Sequence, residues 1–379
     1  MRPALCFAAA VITIALASPR TEAHKTITSK YTYNEHVFPI LRERCGRCHV
    51  EGGPTPMSLM TYKDTVPWAE SIREQLTAES MPPWYVDPMG PAVKGGHTLT
   101  NRELDVIVTW ATGGTPEGDA SKAPAAVAGQ IPWKAGPPDH IVSMEAARAL
   151  PAGTLEETVD LMLPTNLRDE KWVKAVDLLP GTPSMVRDAV IATEDGVVLG
   201  AWVPGYEATP APSGTAFRLP AGARLRLRMH YKKHWQDEQR VTSDRSAIGL
   251  YFTDAPLSGR AIQEVVLEPA RSDPPASEPR SFSGNLMSAS RVLALRPALD
   301  QAYTSIAIEA VLPGGRRTSL LKLRVAQSQW RRRYWLAEPI ELPAGTKVEV
   351  TASPAPPSDS AMPSAHYPLQ VAVDVVPLS

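Results

Sequence analysis

The chain has 379 residues, 43% of them hydrophobic and 21% charged, with a formal net charge of −1 at pH 7. That length holds two or three domains and a substantial core. Basic and acidic residues are interspersed along it, which argues against nucleic acid or an anionic membrane surface as partner.

The first element reads as an export signal over residues 1–23. Arg2 gives a minimal charged n-region, Ala4 to Ala17 an apolar h-region, and Thr21-Glu22-Ala23 a small-residue cleavage site. A cut after Ala17 is the alternative. The apolar run is too short to span a bilayer, and no later segment is apolar enough. The expected mature chain therefore has no membrane span and is periplasmic or otherwise exported. Cys6 leaves with the signal, so Cys45 and Cys48 are the remaining cysteines.

Residues 24–115 are expected to form a small all-α cytochrome c domain. Val37, Ile40 and Leu41 mark one face of a helix over Tyr33 to Cys45. It delivers Cys45-Gly46-Arg47-Cys48-His49, the C-x-x-C-H pattern of a covalently attached c-type haem. Two thiols three positions apart can each form a thioether to a haem vinyl group, and the adjacent imidazole of His49 serves as proximal iron ligand. A zinc site would need further Cys/His pairs at ligand spacing, and none is present. With both thiols taken by haem, no disulfide is expected despite an oxidising compartment. Two more helices follow, Asp64 to Ala78 and Arg102 to Thr112, the latter capped by Asn101 and stopped by Gly113-Gly114. Between them, Met81-Pro82-Pro83-Trp84 offers a stiff loop that presents Met81 as distal ligand. Met57, Met60 and Met89 compete for that role, and His97 is the rival for bis-His ligation.

Residues 116–138 are rich in Ala, Pro, Gly and Lys and read as a linker. Beyond it come short alternating runs, among them Trp172 to Leu178, Ala189 to Leu199, Arg224 to Tyr231, Ile306 to Val311 and Lys347 to Ala352. Such runs, separated by Pro/Gly turns, predict antiparallel sandwiches. The turn Leu219-Pro220-Ala221-Gly222 recurs as Leu342-Pro343-Ala344-Gly345, which predicts two similar modules, 139–267 and 268–379. The run Arg331-Arg332-Arg333 reads as a solvated turn or strand edge.

Over Cys45 to Pro54, Met81 to Pro88, Lys171 to Ile191, Leu225 to Tyr231 and Leu312 to Gly345, the chain resembles bacterial fusions of a haem c domain with a copper type II, ascorbate-dependent monooxygenase-like module. The family includes peptidylglycine hydroxylating monooxygenase and dopamine β-monooxygenase. The resemblance implies two jelly-roll-like β-sandwich domains and two copper sites. Where the first site has adjacent histidines, this chain has Arg187 and Asp188; its third ligand matches His230. Where the second has His-x-His after a Pro, this chain reads Pro297-Ala298-Leu299-Asp300, and Met362 stands near the place of its Met ligand. Copper of this kind needs converging imidazoles and thioethers, and alternation puts Arg226 and Arg228 on the face of His230.

The expectation is an exported monohaem c-type cytochrome carrying out one-electron transfer, rather than an active monooxygenase. Its cofactor is one covalent haem c, with copper not expected and His230 as a residual copper-type ligand. The β-module is a scaffold or docking unit for a redox partner, an unknown dehydrogenase, oxidase or other cytochrome. The rival is a haem-fed copper monooxygenase acting on an unknown substrate.

Overall fold

The computed structural model describes residues 28–83, 85–96, 99–123, 125, 133, 135–255, 260–270, 278–356 and 368–378. The signal segment, Trp84, His97, Met362 and much of the linker lie outside them. Among the described residues no helix is long and apolar enough to cross a membrane.

The N-terminal segment carries four short helices. A π-helical turn, Tyr33–Val37, runs into α1 (Phe38–Arg44). The helix expected from Asp64 to Ala78 is split into α2 (Tyr62–Thr65) and α3 (Ala69–Thr77) by a 3-10 turn, Val66–Trp68, that contains Pro67. Proline has no N–H for the helical ladder and its ring crowds the preceding turn. The cap of α4 (Asn101–Thr112) is Thr100, one residue earlier than expected. Its hydroxyl accepts from Glu103 N at 3.2 Å, and the Glu103 carboxylate accepts from Thr100 N at 2.7 Å. Tyr33, Leu41, Ile107 and Trp110, all with no exposed surface, hold these pieces together.

Most of the remaining chain is antiparallel sheet. One four-stranded sheet runs β4 (Glu156–Pro164), β9 (Arg224–Lys232), β6 (Val186–Thr193), β7 (Val198–Trp202). A second runs β2 (His140–Ser143), β11 (Ala247–Thr253), β5 (Lys171–Leu179), β8 (Phe217–Leu219). These two share a core, with Leu225, Leu227 and Met229 turned inward and Arg224, Arg226 and Arg228 outward, as strand alternation requires. A small pair, β3 (Arg148–Leu150) with β10 (Thr242–Asp244), flanks them. The C-terminal half contains β12 (Gln263–Leu267), β19 (Gln370–Pro377), β14 (Ser290–Ala298) and β17 (Tyr334–Leu342) in one sheet. It packs across a second core against β1 (Tyr85–Val86), β16 (Arg317–Ala326), β15 (Tyr303–Val311), β18 (Lys347–Pro354) and β13 (Arg280–Asn285).

The expected class, a small all-α domain followed by two jelly-roll-like sandwich domains, is corrected by three features. First, the molecule is predominantly β and contains no all-α unit among the described residues: β1, from the haem-motif segment, is an edge strand of a C-terminal sheet, with Tyr85 opposite Arg324 and Val86 opposite Leu323. Asp87 N donates to Lys322 O at 2.9 Å, Lys94 N to Trp335 O at 2.8 Å, and Ala337 N to Ala92 O at 2.8 Å. An open strand edge exposes unpaired backbone groups, and residues 85–96 cover them. Second, the helices are too short and too interrupted to make a self-contained bundle. Third, the two β cores interpenetrate. Leu293, Ala294 and Trp335 reach into the first core and Val203 into the second. A bulge in β14 between Val292 and Ala294 turns Leu293 toward the opposite core from Val292 and Leu295.

Both Leu-Pro-Ala-Gly turns form as the repeat suggests. Gly222 and Gly345 have φ of 67° and 76°, the left-handed region that glycine enters without a Cβ penalty, and they lead into β9 and β18.

Candidate haem-binding site and the cleft beside it

The C-x-x-C-H motif is the end of α1 continued for one more turn. Cys45 N donates to Leu41 O at 2.8 Å, Cys48 N to Cys45 O at 3.1 Å, and His49 N to Cys45 O at 2.9 Å. A Cβ on Gly46 would lie 2.5 Å from Arg42 O, so the turn closes this tightly only with glycine there. The Gly/Pro loop folds back over it, with Thr55 Oγ1 donating to Cys48 O and Leu59 N to His49 O, both at 3.0 Å.

Cys45 and Cys48 are both thiols, with no disulfide between them. Burial pushes the Cys45 thiol up to about 12, the neighbouring Cys48 adding to the rise and Arg44 opposing it. It is therefore no redox-active thiolate at neutral pH. Burial also lowers the His49 imidazole, against a smaller upward influence of the Met57 backbone, so the ring is neutral, as a metal ligand must be. Its Nδ1 is buried with no hydrogen-bond partner. Met57, Met60 and Met81 pack around the same core as Cys45, whereas Met89 is 83% exposed. A thiol pair, a half-buried imidazole with an orphaned buried nitrogen and nearby thioethers together fit a covalently held haem.

Cys48 and Pro56 also form one wall of a cleft of about 480 Å³. The opposite wall belongs to the β part, with Glu156, Arg187, His234 and Trp235. Arg47, inside the motif, pairs with Glu207 of that part at 2.5 Å, and Glu79 pairs with Arg324 at 2.7 Å. The motif thus faces the sheets.

The positions compared with the first copper site do come together. Asp188 on β6 stands opposite His230 on β9. His230 is a central-strand residue only 6% exposed. Its Nδ1 lies 2.8 Å from Asp188 Oδ2 and its Nε2 2.8 Å from Glu156 Oε1. Burial pushes this imidazole down, but the hydrogen bonds and charge of Asp188 and Glu156 prevail and the net shift is upward. With both ring nitrogens at hydrogen-bond distance from carboxylates, neither is left open for a metal. Glu156 also pairs with Lys232 at 3.1 Å. At the second position, Asp300 pairs with Arg280 at 2.9 Å and accepts from Tyr303 Oη at 2.7 Å. Among the described residues no group of three or more His, Cys, Asp and Glu could hold a metal ion. His234 lies near Arg187; burial and that charge both lower its pKa.

Sequence reasoning missed Glu156 and Glu207, whose role depends on which strands become neighbours, and the aim of Arg187, which depends on a bulge. It also misplaced Arg331, Arg332 and Arg333, which are buried at 6%, 6% and 3% exposure. Arg333 donates to Asp374 at 2.6 Å and to the carbonyls of Leu199 and Val198 at 2.7 and 2.6 Å. Tertiary carbonyls and a carboxylate, invisible locally, make that burial tolerable.

No family model matches the chain, and no curated protein matches it. Among solved structures, the major capsid protein P2 from bacteriophage PM2 shares 12% identity, with 62% of this chain and 96% of that chain covered at a TM-score of 0.30. A Paenibacillus xanthan lyase shares 11%, covering 68% and 28% at a TM-score of 0.18. Bacillus subtilis oxalate decarboxylase shares 8%, covering 72% and 81% at 0.14. Likenesses this low carry no argument about function.

Proposed function

We propose that the chain is an exported one-electron-transfer protein carrying a single covalent haem c on Cys45 and Cys48, with His49 as proximal and Met81 as distal ligand. The observation that carries this reading is the half-buried C-x-x-C-H turn, whose His49 has a buried ring nitrogen without a hydrogen-bond partner and whose Cys48 opens onto a cleft. Bound there, the haem supplies a reversible one-electron couple. The chain's own residues hold it: Gly46 lets the turn close, and Met57, Met60 and Met81 pack in the same apolar cluster as Cys45. His/Met ligation with burial favours a relatively high potential.

In this reading the β part descends from a copper monooxygenase-like module whose ligands are largely replaced, and it serves as scaffold and shield. The engagement of both His230 ring nitrogens by Asp188 and Glu156 supports that loss. The redox partner is a dehydrogenase, an oxidase or another cytochrome. Metal analysis of the purified holoprotein tests the proposal, with an expected result of one iron and negligible copper per chain, even after copper loading. Stoichiometric copper with reductant-dependent oxygen uptake overturns it. For the distal ligand, Met81→Ala is expected to change the ferric spectrum, and an unchanged spectrum rejects the assignment.

A further inference from the structure

The geometry points to Arg187 as the anchor for a carboxylate arm of the haem held at Cys45 and Cys48, with the cleft beside Cys48 enclosing part of the macrocycle. The inference rests on the haem reading above and deepens it by assigning a residue of the β part to the cofactor. Three observations converge. The register of β6 on β9 slips between Val186, opposite Tyr231, and Asp188, opposite His230, so Arg187 is the extra residue of a bulge. Bulges re-aim a side chain that a regular ladder would place elsewhere, and Arg187 lines the same cleft as Cys48.

Arg187 Nη1 is buried and has no hydrogen-bond partner. The nearby carboxylate of Glu156 is already engaged by His230 and Lys232. Burial lowers the Arg187 guanidinium to about 10, against the charge of Glu156, which leaves it cationic at neutral pH. A half-buried cation whose buried nitrogen has an open donor calls for an anionic oxygen, which a guanidinium binds in preference to other acceptors.

The cleft also suits a flat apolar body. Its volume of about 480 Å³ falls within the range of cofactor sites. Trp235, 76% exposed, and Trp330 stand on its wall, surface that an apolar occupant would cover. Two lysines also line the cleft, but Lys232 is engaged by Glu156 and Lys233 by the carbonyls of Pro151 and Arg240, so a haem joined to the chain at Cys48 would find its open cationic donor in Arg187.

The test is redox potentiometry on purified holoprotein with haem attachment verified by mass. Arg187→Gln is expected to retain covalent haem but lower the midpoint potential, because losing the cation disfavours the electron-richer ferrous form. At a fixed electrode potential the reduced-to-oxidised ratio should fall roughly five- to tenfold, the scale of one charge interaction in a partly buried site. Arg187→Lys should recover most of the loss. Arg218→Gln, which removes the same charge from an exposed pair with Glu170, should leave the potential unchanged. If Arg187→Gln does not fold, Arg187→Met keeps the aliphatic stem and gives the same readout. Covalent haem with an unchanged potential in the neutral variants overturns the Arg187 assignment and leaves the haem reading standing. Wild-type protein without covalent haem overturns both.

Discussion

His230 sits between two acids on a central strand, and that placement makes its protonation a stability device. Folding raises its pKa above the ordinary 6.5, so its contribution is complete below about pH 6.5 and is lost as the pH rises through the raised folded value. Burial raises the Glu156 carboxyl, but hydrogen bonds and charge from His230 and Lys232 bring it net below its ordinary value, so its contribution disappears only as the pH falls through that lowered value. The network therefore acts between the two. His230→Gln is expected to lower the thermal midpoint most near pH 6, with the difference from wild type shrinking toward pH 9; thermal melts across that range check it. Arg187, Asp188 and His230 were grouped in the sequence only by a resemblance, and the strand pairing of β6 with β9 is what sets Asp188 opposite His230. Glu156 was not legible, since 74 residues separate it from His230 and only strand register joins them.

At the scale of elements, the alternating strands and the Leu-Pro-Ala-Gly turns could be read from the chain, because period-2 burial and a left-handed glycine are local properties. The bulges at Arg187 and Leu293 and the annexed strand β1 could not, because each is decided by a partner strand. Residues 85–96 behave as a strap on the C-terminal sheets, fixed by a few backbone hydrogen bonds. Asp87→Pro deletes the donor to Lys322 O, and proline in a ladder costs a hydrogen bond that nothing replaces. The expected outcome is faster hydrogen exchange at the Lys94 and Ala337 amides, with the Leu320 to Leu323 amides that face β15 unchanged. Mass-resolved exchange on the folded protein measures both.

For the molecule as a whole, Arg333 is the rivet between the interpenetrating cores. It reaches Asp374 on β19 and two carbonyls of β7, and it stacks over Phe217 at 4.8 Å and Trp335 at 5.4 Å. Removing it strands Asp374, which has no exposed surface. Arg333→Ala is expected to cost about 3–5 kcal/mol, the range for breaking a buried pair from one side, read as a lower denaturant midpoint common to probes in both halves. A charge run looks solvated in sequence because its partners are distant in the chain, 41 residues away for Asp374 and 134 and 135 for the carbonyls of Leu199 and Val198. The strap has a further consequence, in time rather than space. Gly95 and Arg332, which meet beside it, are separated by 237 residues, and synthesis at roughly 5–20 residues per second leaves on the order of tens of seconds between them. During the last part of that interval the cleft beside Cys48 lacks Gln329 and Trp330, which complete its lining. A truncated chain ending before Arg317 lacks both of those residues and should leave that side of the cleft open.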